Sequence, residues 1–103
     1  MKSYTIVLEP EARDDINEAI EYYNEIYGNL SLKFLTSLEV TIDRIKQNPF
    51  YQIKYDDVRI LPLKKFPYSI HYHINEDFDE IKILAVIHTA SDPDKIWMWR
   101  EDE

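Results

Sequence analysis

The feature that most restricts the fold is the run "YSIHYHIN EDFD EIKILAVIH", residues 68–88. Its first part alternates strictly, with Tyr68, Ile70, Tyr72 and Ile74 on one side and Ser69, His71, His73 and Asn75 on the other. That period of two is a β-strand with one buried face. "EDFD" reads as a four-residue turn, and residues 80–88 as the returning strand. If Asn75 pairs with Glu80, Ile74 faces Ile81, Tyr72 faces Ile83, Ile70 faces Ala85 and Tyr68 faces Ile87. One face of the hairpin is then wholly apolar, and a slip by one residue would invert it.

Something must cover that face, and two helices are predicted upstream. Ala12, Ile16, Ala19, Ile20, Tyr23 and Tyr27 recur at helical spacing after Pro10, which suits a first helical turn flanked by Glu9 and Glu11. Gly28, the only glycine, is the expected left-handed C-cap. Phe34, Leu35, Leu38, Ile42 and Ile45 form a second stripe from about Ser31, which Pro49 ends. The short link predicts an antiparallel helical hairpin. Residues 3–8 read as an opening strand and residues 58–63 as another, with a short one at 51–55 before it. The expected fold is α+β: an N-terminal strand, then a two-helix hairpin on one face of a three- to four-stranded antiparallel sheet. A short helical segment is expected to close the C-terminus.

The 103 residues are expected to make a single domain spanning 1–103. Without cysteine there is no disulfide, thiol nucleophile or thiolate metal site. A single glycine implies few tight turns needing positive φ and excludes a glycine-rich phosphate loop. No stretch approaches the roughly 20 apolar residues of a membrane span. "MKSYTIVLEP" lacks the apolar core of a signal peptide, so the cytoplasm is the expected compartment. The formal charge of −8, from 20 acidic and 12 basic side chains, opposes general and sequence-specific nucleic-acid binding. It favours a protein partner whose contacting segment is neutral or basic.

Residues able to carry chemistry are few. His71 and His73 share a strand face, but in the expected register His88 lies opposite Pro67, four positions and roughly 13 Å from His71. Ligands of one metal cannot be so far apart, so no metal site and no cofactor are expected. An acid–base set drawn from Arg59, Lys64, Lys65, His71 and His88, with Ser69, His73 and Lys82 nearby, is a weak constellation. A solvated strand face carries such residues anyway. The acids Glu11, Asp14, Asp15, Glu18 and Glu21 spread around a solvent-facing helix surface. The stretch "VIHTASDPDKIWMWR" places His88, Trp97, Trp99 and Arg100 where they either close the core or contact a partner.

The order "YTIVLEPEARDDINEAIEYY", "SLKFLTSLEVTIDRIKQNP", "VRILPLKKFPYSIHYHI", "IKILAVIHTASDP" and "IWMWR" resembles the RelE/ParE superfamily of toxins over essentially the full length. Each piece is weakly specific, and their order and spacing are much more so. The resemblance implies a plasmid-stabilisation toxin of a type II toxin–antitoxin module, held inactive by a cognate antitoxin. RelE-like members cut mRNA on the ribosome, whereas ParE-like members act on DNA gyrase. The long hairpin and the His88…Pro93…Trp97…Arg100 pattern look more like ParE.

Ser69 stands where nuclease members usually carry an arginine, and Thr89, Ala90 and Ser91 stand where they carry another. The resemblance therefore implies no ribosome-dependent nuclease, with binding by His88, Trp97, Trp99 and Arg100 in its place. The alternatives are the RelE-like endonuclease and an antitoxin-binding relative that has lost toxicity. The resemblance leaves the oligomeric state open.

Overall fold

The computed structural model describes residues 3–26 and 28–89. The chain begins with β1 (Thr5–Leu8), followed by α1 (Pro10–Ile26) and α2 (Leu30–Gln47). It continues through β2 (Ile53–Tyr55), β3 (Val58–Pro62), β4 (Tyr68–Asn75) and β5 (Glu80–His88). The five strands form one sheet in the order β1-β5-β4-β3-β2. β2 to β5 are antiparallel neighbours, as the alternation predicts, and β1 adds a parallel edge beside β5. The expected C-terminal helical segment lies outside the described residues.

Both helices lie on one face of the sheet because their apolar stripes need a partner. Ala12, Ile16, Ala19 and Tyr23 from α1 pack with Phe34, Leu38 and Ile45 from α2. The sheet contributes Leu61, Ile70, Tyr72, Ile74, Ile81, Ile83 and Val86 to the same cluster. Pro10 opens α1, where its missing N–H is harmless, and Glu11 in that first turn and Arg44 and Lys46 in the last turn of α2 complement the helix dipoles. Tyr23, Phe34, Phe66 and Tyr68 meet mostly edge to face, at centroid distances of 5.2 Å for Tyr23–Phe66 and 5.2 Å for Phe34–Tyr68. This ring cluster joins both helices to β4 and to the turn before it, each pair adding about 0.5–1.5 kcal/mol beyond burial.

The hairpin register agrees with expectation from Asn75↔Glu80 to Tyr72↔Ile83 and then departs from it. A β-bulge inserts Leu84, so His71 pairs with Ala85, Ile70 with Val86, and Tyr68 with His88. The expected pairs Ile70–Ala85 and Tyr68–Ile87 do not form, and His88 is not opposite Pro67. Packing supplies the reason. A straight strand would place small Ala85 between Ile70 and α1 and turn Val86 away from the helices. The bulge exchanges them, and Val86 joins the core at 3% exposure.

One further expectation is corrected. Gly28 does not adopt a left-handed conformation. The positive-φ positions among the described residues are instead Asp56, Asp57, Lys65 and Asp79. Asp56 (φ 40°) and Asp57 (φ 63°) form the two-residue link between β2 and β3, where a type I′ turn requires positive φ at both positions. Asp tolerates that region better than most residues, which is how a chain with one glycine makes tight turns.

Candidate functional site

A groove of about 790 Å³ runs along the outer side of α2 and is walled on one side by the β3–β4 turn. The helix that buries Phe34, Leu38 and Ile45 also carries Leu32 and Val40 outward, 63% and 49% exposed. Leu32, Thr36 and Val40 recur every four residues, so they form a second, outward-facing stripe along this groove. Its walls hold Lys33, Arg44, Lys64 and Lys65, and among the described residues no acid lines it. In a chain with 20 acids and 12 bases this is a concentrated reversal of the net field.

The turn is held firmly. The Ser37 hydroxyl donates to the Lys64 carbonyl at 2.7 Å, and Phe66 is locked into the ring cluster. Lys65 sits at φ 71°, a left-handed conformation costing about 1–2 kcal/mol for a residue with a Cβ. In an extended strand two successive side chains point to opposite faces. The left-handed kink breaks that alternation, so Lys64 and Lys65 both line the groove.

A second groove, of about 630 Å³, lies between α1 and the end of β5. Asp15, Glu18, Tyr22, Tyr68 and His88 line it, giving it the opposite charge. β1 stops pairing at Leu8↔Ile83, so β5 loses its neighbour there. Glu9 N–H donates to the Ile83 carbonyl at 3.0 Å, and the Asp15 carboxylate accepts from Val86 N–H at 3.0 Å. Asp15 therefore does the work of a missing strand residue. Burial is the main cause that pushes its carboxyl above the usual range; Glu18, Glu11 and Asp14 add to this, and the Val86 hydrogen bond opposes it. His88 stacks edge-on against Tyr68 at 4.9 Å, whose hydroxyl is pushed up by burial.

The sequence candidates do not meet at one point. Arg59 is on the helix side of the sheet, opposite Tyr72, where its Nε donates to the Tyr51 carbonyl at 2.6 Å and its guanidinium stacks over Phe50. Lys64 and Lys65 belong to the α2 groove. His71 is buried on the opposite face, its Nδ1 2.9 Å from the Tyr55 hydroxyl, between Ile60 and Ala85 in the ladder. His88, on the helix side, is three positions and roughly 10 Å along the sheet from His71. His73 and Lys82 pair directly on the His71 face. Trp97, Trp99 and Arg100 lie outside the described residues.

Sequence reasoning did not assign Leu32, Thr36 and Val40 to the α2 groove because a core stripe was sought in that helix and one was found. Leu32, Thr36 and Val40, a second four-residue period in the same helix, were the available signal. It also treated Asp15 as one more solvated acid, since only the third dimension brings the unpaired end of β5 to it.

Two solved structures share this fold. One is a chain of the chromosomal ParDE TA system from P. aeruginosa, with TM-score 0.73 and 18% identity over 85% of this chain and 98% of that chain. The other is a chain of the toxin–antitoxin complex RelBE2 from Mycobacterium tuberculosis, with TM-score 0.56 and 16% identity over 84% of this chain and 98% of that one. These likenesses establish the fold as the one seen in toxin–antitoxin assemblies. No curated protein matches the sequence. A family model does: ParE toxin of type II toxin–antitoxin system, parDE, matches residues 6–93, and the chain belongs to that family.

Proposed function

We propose that this ParE-family chain arrests growth by binding a protein target, DNA gyrase, and that a cognate antitoxin neutralises it by covering its binding surface. The observation that carries the reading is the dispersal of its candidate acid–base groups. RNA cleavage needs a base, an acid and a cation around one phosphate. Here Arg59 is spent on Tyr51 and Phe50, His71 lies across the sheet from His88, and Lys64 and Lys65 face α2. The described surface offers grooves for a polypeptide. The overall charge adds to this, because it opposes docking on RNA.

The test is expression of the chain alone from a tight promoter, with growth, plasmid topology and mRNA levels followed together. Purified protein is then added to a gyrase supercoiling reaction. Growth arrest with inhibited supercoiling and intact mRNA supports the proposal. Arrest with unaltered supercoiling and codon-dependent loss of mRNA overturns it in favour of the RelE-like endonuclease. Normal growth at confirmed soluble expression overturns it in favour of a relative that has lost toxicity.

A further inference from the structure

We infer that two copies of this chain associate across a two-fold axis, at the end of the molecule where α1 finishes beside the β3–β4 turn. Such an axis asks for one patch with oppositely charged flanks, and this end carries both. On one side Glu18 and Tyr22 line the acidic groove beside α1. On the other Lys64 and Lys65 stand exposed on the turn.

The ring cluster joins the two flanks. Tyr22 meets Tyr23 edge-on at 5.2 Å, and Tyr23 meets Phe66 of the turn at 5.2 Å. Tyr23 is buried, so it is a fixed spacer between an acidic and a basic edge. The patch thus runs from Glu18 through Tyr22 and Phe66 to Lys65. A second copy turned by 180° about the aromatic centre sets its lysines over Glu18 and its own Glu18 under the first copy's lysines. Both contacts form at once, and the pairing closes at two copies.

The centre supplies the apolar part. Tyr22 is 53% exposed and Ile26 51%. Residues four apart stack on one helix face, so Glu18, Tyr22 and Ile26 form one outward stripe of α1. Near the axis the Tyr22–Ile26 pairs of two copies cover each other and leave water. An unrelated partner of one charge would satisfy one flank and face a like charge on the other. A second copy satisfies both.

Little has to be ordered for this contact. The Ser37 hydroxyl holds the Lys64 carbonyl, Phe66 is fixed by Tyr23 and Phe34, and Lys65 is held at φ 71°. The net charge of −8 repels a second copy at long range, so the attraction is local and short-ranged. About six side chains per copy cover less than the roughly 800 Å² per partner of a standard interface. The dimer is therefore concentration-dependent, with Kd on the order of 10 µM.

Sedimentation velocity of the full chain from about 1 to about 200 µM, with light scattering for mass, tests the pairing. The expected result is a monomer at the low end and a dimer, with nothing larger, at the high end. Glu18→Lys and Lys65→Glu should each weaken the dimer by at least about tenfold. Mixed one to one, these two variants should pair as well as the wild type, because both contacts then join opposite charges. Ile26→Glu should abolish the dimer, alone or in that mixture. Far-UV circular dichroism accompanies each variant, and recovery on mixing separates a lost contact from a lost fold.

A monomer throughout the range overturns the inference, as does association that ignores both charge reversals. Folded single variants that stay monomeric when mixed overturn it too. Masses growing beyond two copies would mean an open head-to-tail contact, and the two-fold axis would fall. Growth arrest is scored separately. A harmless chain that dimerises loses only the proposed function, and a toxic chain that stays monomeric loses only this inference.

Discussion

The bulge at Leu84 makes a prediction that a straight strand reverses. Val86 is 3% exposed and packed in the core, whereas Ile87 is only partly buried and pairs with Ser69 on the face turned away from the helices. Val86→Ala removes two carbons from a close-packed site. At about 0.8 kcal/mol per buried carbon this is about 1.6 kcal/mol, and the cavity term brings it to about 2–3 kcal/mol. Ile87→Ala removes three carbons, yet from a partly buried side chain on the face turned away from α1 and α2, and should cost under about 1 kcal/mol. The smaller truncation is thus the more damaging one. Urea unfolding followed by far-UV circular dichroism measures both. At a slope of about 1–2 kcal/mol per molar urea, Val86→Ala should lower the midpoint by about 1–3 M and Ile87→Ala by less than about 1 M. A larger loss for Ile87→Ala than for Val86→Ala would restore the straight register, move His88 off Tyr68 and refute the face assignments made for β5.

Two further outcomes follow from side chains that hydrogen-bond the backbone of another segment. Asp15→Ala, which orphans the Val86 N–H, should cost about 1–2 kcal/mol, while Asp15→Asn keeps an acceptor and loses the charge, so it should match or exceed the wild type at pH 7. The sign of the pH dependence is set by the raised carboxyl: the folded chain takes up the proton before the unfolded one, so Asp15 costs least at low pH and most above its folded pKa. The advantage of Asp15→Asn should therefore shrink as pH falls toward 3.8, and an advantage independent of pH would contradict this account. Tyr72 is fully buried, its hydroxyl donates to the Pro49 carbonyl at 2.7 Å, and burial pushes its pKa up to about 12. Tyr72→Phe should lower stability by about 1–2 kcal/mol by chemical denaturation with growth arrest retained, and an unchanged midpoint would remove this bond from what ties the α2–β2 link to the sheet.

What was legible in the sequence, and what was not, divides along local and non-local physics. Period two in Tyr68–Asn75 and period 3.6 in α1 and α2 are consequences of backbone geometry, so strands, helices and the faces they bury could be read from neighbours alone. The register up to Tyr72↔Ile83 was equally accessible, because the apolar alternation runs unbroken to that pair. Beyond it the sequence reads Leu84, Ala85, Val86, Ile87, four apolar residues in a row, and alternation no longer distinguishes inside from outside. The choice passes to volume and to α1. Valine fills the space against Ile70 that alanine would leave open, and Asp15 waits for an N–H where β1 has ended. Turn conformation failed for a related reason. Glycine is the usual marker of positive φ, and this chain meets the demand with Asp56, Asp57, Lys65 and Asp79, three of them residues whose short polar side chains tolerate it. Lys65 has no such excuse. A long cation in a strained backbone, beside an apolar stripe that no acid among the described residues answers, connects the turn to the α2 groove.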